Sequence, residues 1–243
     1  MITVSIVSHG HAEYVSYLLA DLAKCSNISC VIVINNIPDK FPINYDFNFK
    51  LLIINNTDRY GYGENNNIAF GLVTTKYFCV LNPDIRIFSD PFGDLIDKIS
   101  DSQFGVVAPA IRNMNGLLMN SSGSFPNFLT VIKKFFRILF NYPSFHKKTR
   151  SDFLCGMFMF FESSSYRKIG GFDSRFFLYY EDVDICWRLW LKLGLKSHIV
   201  EHREVYHVGQ FSSHSNIRFF IIHLKSFLLW NCIYFFKFFK KNI

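Results

Sequence analysis

Three carboxylates fall within four positions at Glu181-Asp182-Val183-Asp184, directly behind the aromatic run Phe176-Phe177-Leu178-Tyr179-Tyr180. Acids so close repel one another, and an aromatic wall lowers the polarity around them. Both effects raise a carboxyl pKa, and a carboxylate so tuned can act as a general base. The same acids also suit the first turn of a helix, where the dipole favours negative charge without any catalytic role. A second candidate, Asn82-Pro83-Asp84, follows a short apolar run. A single Asp there suits Mg2+ or Mn2+ held mostly by water and a diphosphate, because Mg2+ keeps several waters and needs few carboxylates. Asn-Pro-Asp is equally good β-turn chemistry. His207, in Tyr206-His207-Val208-Gly209, has the chemistry of a metal ligand, although a lone histidine is more often structural.

Gly61-Tyr62-Gly63-Glu64-Asn65-Asn66-Asn67 is a tight turn entering an Asn-rich helix. A dinucleotide fingerprint needs glycine where Asn66 stands, and it follows the first strand rather than the third, so a nicotinamide site is excluded. Free N–H groups and amides at such a helix start could hold a phosphate or sugar hydroxyls. N-capping by Asn65 accounts for the pattern equally well.

The elements that must position these groups follow from periodicity. Residues 2–8 read as a buried strand ending at Ser8-His9-Gly10-His11, and residues 13–24 as a helix with Leu18, Leu19 and Leu22 on one face. Residues 30–34, 51–54 and 77–81 read as further strands, with a short helix over 66–74. Apolar strands alternating with helices predict an α/β fold with a mostly parallel sheet covered on both faces. Ligands bind such sheets beyond the carboxyl ends of the strands, where the polar loops lie. Residues 104–111, 157–161 and 197–200 extend the strand set. Gly170-Gly171-Phe172-Asp173 leads to a helix from Glu181 to Leu193 that Gly194 can cap. Ile185, Leu189 and Leu193 recur every four residues and would bury one face of it. Residues 125–150 are basic and aromatic, with Lys133, Lys134, Arg137, Lys147, Lys148 and Arg150.

The chain has 243 residues, enough for one large domain with a tail. It carries a formal charge of +7 and 29 Phe. The charge suits phosphorylated substrates, anionic membranes or nucleic acid alike. Nucleic acid is disfavoured, since it leaves the acidic cluster unexplained and no binding motif is present. The six Cys form no C-x-x-C pair and read as reduced core thiols of a cytosolic protein. Met1 leads directly into a strand pattern without a basic leader, which places the expected active site on the cytoplasmic side.

The order of these motifs resembles family 2 glycosyltransferases of the GT-A fold, within them most closely the rhamnosyltransferases of bacterial O-antigen and cell-wall polysaccharide assembly. The matching stretches are 7–11, 60–69, 81–85, Gly171-Phe172-Asp173 through Arg188, and the region of His207. The resemblance implies that Asp84 holds the metal on the donor diphosphate, with Asn82 where relatives place a first Asp, and that His207 completes the metal site. It implies that Asp182 is the catalytic base and that Glu181, Asp184 and Arg188 support it or meet the acceptor. Asn66 and Asn67 fall where the donor is held, and Ser8, His9 and Gly63 belong to the same donor side. Asn35-Asn36 stands where relatives show Asp-Asn, a place that contacts the nucleotide base. The implied cofactor is Mg2+ or Mn2+. The implied partners are a nucleotide-sugar, with dTDP-rhamnose favoured and UDP-galactofuranose or another UDP-hexose as the runner-up, and a polyprenyl-diphosphate-linked saccharide.

Domain organisation follows. Residues 1–215 form the expected transferase domain, with 1–100 mainly for the nucleotide-sugar and 101–215 mainly for the acceptor and catalysis. Residues 216–243 form a basic, aromatic, amphipathic helical tail. His223, Lys225, Asn231 and Lys237 interrupt it, so an interfacial helix on the inner face of the bacterial plasma membrane is expected rather than a span. Packing of that helix on the core is the alternative. Two other classes compete. A sugar nucleotidyltransferase needs a Gly-rich basic loop after the first strand, where this chain has Ser8-His9-Gly10-His11. A non-catalytic carbohydrate- or nucleotide-binding protein would not need Asp84, Asp182 and His207 together.

Overall fold

The computed structural model describes residues 1–37, 39, 46–126, 151–209 and 217–240. Its centre is an eight-stranded sheet in the order β3-β2-β1-β4-β9-β6-β10-β5. Strands β1 (Ile2–Ser8), β2 (Ile28–Asn35), β3 (Lys50–Asn55) and β4 (Tyr77–Leu81) are the apolar runs seen in the sequence, and they pair in parallel. All residues of β1 and β4 are buried, as expected of strands covered on both faces. Strand β9 (Phe158–Glu162) then runs antiparallel between β4 and β6 (Phe104–Asn113). Parallel pairing resumes between β6 and β10 (Lys196–His207), and β5 (Ile85–Arg86) closes the edge antiparallel to β10. The sheet is therefore mixed, with a parallel half and one reversed strand in its middle. A small ribbon, β7 (Ser122–Gly123) with β8 (Phe153–Leu154), lies apart.

The helices are α1 (Ala12–Leu22), α2 (Tyr62–Phe70), α3 (Phe92–Ile99), α4 (Ser163–Ile169), α5 (Glu181–Leu193) and α6 (Ile217–Lys240). Much of the Phe content is core. Phe78, Phe92, Phe158, Phe160, Phe161 and Tyr166 are fully buried, and Tyr166 meets Phe78, Phe161 and Phe172 edge-on. Buried aromatic side chains bring large apolar area, and edge-on geometry suits their quadrupoles.

Three expectations change. Helix α2 starts at Tyr62 rather than 66, because the Asn65 N–H already bonds to the Gly61 carbonyl (3.0 Å), and it is over by Gly71. Strand β10 continues past Val200 to His207 through an irregularity between Val200 and Glu204. The polar run Glu201-His202-Arg203 at that bulge hides the strand from an apolar pattern. Cys25, Cys79 and Cys186 are buried free thiols, but Cys232 is an exposed one on α6. The basic segment singled out at 125–150 lies outside the described residues except at its start, where Phe125 packs edge-on against Trp187. The boundary expected at 215 also falls outside them.

Candidate active site

The Asn82-Pro83-Asp84 turn and His207 come together at the rim of the sheet. Strand β4 ends at Leu81, and the Ile85 N–H closes the turn onto the Asn82 carbonyl (3.3 Å). Pairing of β5 with β10 sets Ile85 opposite His207, and the Val208 N–H bonds to the Asp84 carbonyl (2.9 Å). His207 Nε2 then lies 3.2 Å from Asp84 Oδ2, and its Nδ1 lies 3.0 Å from the Gly209 carbonyl oxygen. A carbonyl only accepts, so Nδ1 carries the proton and Nε2 turns its lone pair toward the carboxylate. A proton or a cation between those two electron-rich atoms resolves the arrangement. Burial opposes charging of His207, but the Asp84 hydrogen bond and charge, with the Gly209 carbonyl, outweigh it and raise its pKa.

These residues fit a divalent cation. A carboxylate oxygen and a histidine nitrogen are oriented together, and the histidine is braced by a backbone carbonyl, the usual outer partner of a ligating imidazole. Among the described residues no third His, Cys, Asp or Glu joins them. Gly209 completes the cradle. A Cβ there would stand 2.2 Å from Asp84 Oδ2 and 3.1 Å from His207 Cε1, so only glycine lets the backbone pass.

Gly156 and Met157 connect this turn to the acidic cluster. The Asn82 N–H donates to the Met157 carbonyl (3.0 Å), and the Gly156 N–H donates to Asp182 Oδ2 (3.1 Å). The Tyr62 hydroxyl donates to the Gly156 carbonyl (2.8 Å). Asp182 also accepts from the Val183 N–H at Oδ1 (2.8 Å). Its pKa is raised by burial, against the backbone hydrogen bonds that favour the carboxylate. Glu181 is buried, and its Oε2 has no hydrogen-bond partner. Burial first, and then the Asp182 charge, push its carboxyl well above the ordinary range. The pair thus divides its roles. Burial favours the neutral form of Glu181, while two backbone N–H groups favour the carboxylate of Asp182.

Asp184 and Arg188 turn away from this rim. Asp184 is fully buried, accepts from Arg188 Nε (2.7 Å), and accepts from the Tyr234 hydroxyl of α6. Arg188 Nη1 donates to the Ile169 carbonyl (2.9 Å). They tie α5 to α4 and α6.

Gly63, Asn66 and Asn67, the expected donor-side residues, each make internal contacts. A Cβ at Gly63 would stand 2.7 Å from Phe172 Cβ. Asn66 Oδ1 accepts from Ser5 Oγ (2.7 Å), and its Nδ2 donates to the Tyr62 carbonyl (2.9 Å). Asn67 donates to the Phe172 carbonyl (2.8 Å) and accepts from the Phe172 N–H (2.9 Å) and the Tyr166 hydroxyl (2.7 Å). The Gly171-Phe172-Asp173 loop is thereby clamped beneath α2. Gly61 packs on the backbone at Phe177, whose carbonyl accepts from the Tyr62 N–H (2.9 Å).

Ser8, His9 and Asn35 do lie at strand ends on the rim. Ser8 and Asn35 sit side by side in the β1–β2 register, and Asn35 pairs with Asn55 of β3. Ser8 Oγ accepts from the His11 N–H (3.2 Å). The exposed His9 ring stands 3.4 Å from Asn36 Nδ2, and burial, Arg59 and His11 lower its pKa. Asn35 Nδ2 donates to Asn55 Oδ1 (2.9 Å), which leaves Asn35 Oδ1 buried without a partner. An asparagine network that sequence reasoning missed fixes the adjoining loop. Asn56 Nδ2 donates to Asn36 Oδ1 (3.0 Å) and to Asn65 Oδ1 (2.7 Å). The density of Asn at these positions was its only sequence signal. Gly156, Tyr62 and Gly209 were missed too, because none has a chemistry that points to a site.

No family model matches the chain. It is 28% identical to the rhamnosyltransferase WbbL of Escherichia coli strain K12, over 93% of this chain and 90% of that protein. It is 26% identical to the N-acetylglucosaminyl-diphospho-decaprenol L-rhamnosyltransferase of Mycobacterium tuberculosis, over 54% of this chain and 48% of that one. Among solved structures, GalNAc-T7 with UDP, GalNAc and Mn2+ superposes with a TM-score of 0.65 at 15% identity, over 89% of this chain. The match spans only 44% of that solved chain, so the likeness is one of fold. The curled mixed sheet is that of the GT-A fold, and the sequence is similar to rhamnosyltransferases along nearly its whole length.

Proposed function

We propose that this chain transfers a sugar with inversion of the anomeric centre. The favoured reaction moves L-rhamnose from dTDP-rhamnose to a hydroxyl of a GlcNAc-diphosphate-polyprenol, of the undecaprenol type, in O-antigen or cell-surface polysaccharide synthesis. The observation that carries the reading is the linkage of Asp84 and His207 to Asp182 through Gly156-Met157, which supports reading them together as a metal pair and a carboxylate base. The two rhamnosyltransferase relatives support the sugar and the lipid-diphosphate acceptor. GalNAc-T7, solved with UDP, supports a UDP-hexose as the second donor reading.

Asp182 takes the proton of the acceptor hydroxyl as that oxygen bonds to the anomeric carbon and the bond to the diphosphate oxygen breaks. Help of this kind contributes ~10²–10⁴-fold. The Gly156 and Val183 N–H groups hold the carboxylate in place while its raised pKa strengthens it as a base. A divalent cation held by Asp84 and His207 would neutralise the departing diphosphate. Asn35 Oδ1, buried and unpartnered, offers an acceptor to an N–H on the nucleotide base.

The test is a donor panel of dTDP-rhamnose and UDP-sugars against a GlcNAc-diphosphate-lipid, with Mg2+, Mn2+ or chelator. Transfer should require metal and be lost in Asp84→Ala. Asp182→Asn should lose ~10²–10⁴-fold. Near-normal turnover by Asp182→Asn would remove the base assignment.

A further inference from the structure

Helix α6 has two faces with different surroundings. Its inner face buries Ser226, Trp230 and Tyr234 against α5 and the turn before it. Ser226 Oγ donates to the Leu178 carbonyl (2.8 Å), and the Tyr234 hydroxyl donates to Asp184. The His223 ring centroid lies 5.3 Å from those of both Tyr179 and Tyr180, and Tyr180 also meets Phe227 and Trp230. Tyr179 and Tyr180 have φ of 66° and 70°, a left-handed conformation that side chains hold only where neighbours enforce it. The next residues are Glu181 and Asp182. Helix α6 therefore grips the strained turn that presents the base.

The outer face is apolar and open. Ile217, Phe220, Ile221, Leu224 and Leu228 follow helical spacing and are each 45–70% exposed. From residue 210 to 243 the sequence has Arg218, Lys225, Lys237, Lys240 and Lys241 and no acid. An apolar stripe on a segment carrying only positive charge matches an anionic bilayer surface. The packing of the inner face favours a helix lying on the surface over one that spans. The helix is about 36 Å long by its rise per residue, enough to cross, but its inner face is already committed to the domain.

We propose that α6 is a lever between a lipid surface and the base. Seating its outer stripe in an anionic bilayer tightens its inner face on residues 178–184 and holds the Tyr179-Tyr180 turn, so the enzyme works best when docked at its lipid-borne acceptor. The catalytic consequence rests on the Asp182 reading above, but the mechanical link does not. The test is hydrogen exchange of the full chain, without and with vesicles of equimolar phosphatidylglycerol and phosphatidylcholine, read at amides 176–184. Vesicles should bind and slow exchange there several-fold. Leu224→Glu should abolish binding and slowing while leaving vesicle-free exchange unchanged. Ser226→Ala and His223→Ala should still bind vesicles and lose the slowing. Binding without slowing at 176–184 overturns the lever. Failure to bind overturns it too, as does self-association through the stripe in sedimentation, which would make a second copy the occupant. Absence of transfer from every donor would remove the functional reading alone, because the exchange comparison needs no turnover.

Discussion

Replacing Glu181 by Gln asks whether that carboxyl is protonated in the folded protein. Glu181 is buried, its Oε2 is unpartnered, and among the described residues no cation pairs with it. Burial and the Asp182 charge raise its pKa well above the ordinary 4.5. The sign follows from proton counting. Above the unfolded value and below the folded one, the folded state binds more protons, so this group's stabilising contribution is lost as pH rises. One such proton costs up to about 1.4 kcal/mol per pH unit, which integrates to about 1 kcal/mol between pH 5 and 6. Asp182, also raised by burial, acts with the same sign and is common to both proteins as long as Glu181 is neutral. Urea unfolding of wild type and Glu181→Gln at pH 5 and 6 should show the variant gaining about 1 kcal/mol on wild type across that interval. Parallel pH dependence would refute the argument and put a charge on Glu181. Because Gln resembles the neutral acid, transfer by the variant should stay within a few-fold of wild type, unlike Asp182→Asn.

Gly209→Ala should weaken Mn2+ binding by ~10–100-fold in calorimetry, the usual cost of disturbing a metal's outer support, because the new Cβ meets Asp84 Oδ2 at 2.2 Å. Unchanged affinity would remove Asp84 from the metal site. Asn67→Ala should cost about 1–3 kcal/mol of stability by stranding its partners at Phe172 and Tyr166, with the donor KM unchanged. A raised KM at normal stability would restore Asn67 as a donor contact. Gly171→Ala should be at least as damaging in thermal unfolding, since its φ is +68° and a Cβ would stand 2.3 Å from Asn67 Oδ1.

Local periodicity made much of this molecule legible in its sequence. The apolar runs of β1 to β4 and the Ile185, Leu189 and Leu193 spacing of α5 depend on near neighbours alone, and so does the Gly194 cap, whose φ is 71°. Helix α3 escaped because it is a single eight-residue amphipathic piece behind Pro91. The residue types at Asp84, Asp182 and His207 suggested a chemistry, and the motif order suggested the resemblance to rhamnosyltransferases that the relatives share. Their standing relative to other polar residues was not legible. Asn66, Asn67 and Asp184 have the same polarity as a ligand contact, yet they bond to Ser5, Phe172 and Tyr234. Whether a polar side chain faces a substrate or is satisfied within the fold depends on what a distant segment brings against it, and no spacing along the chain encodes that. The acidic cluster shows the division clearly. Its acids were visible as a group, but a chain crossing at Gly156 and another at Tyr234 separate the surroundings of Asp182 from those of the buried Asp184.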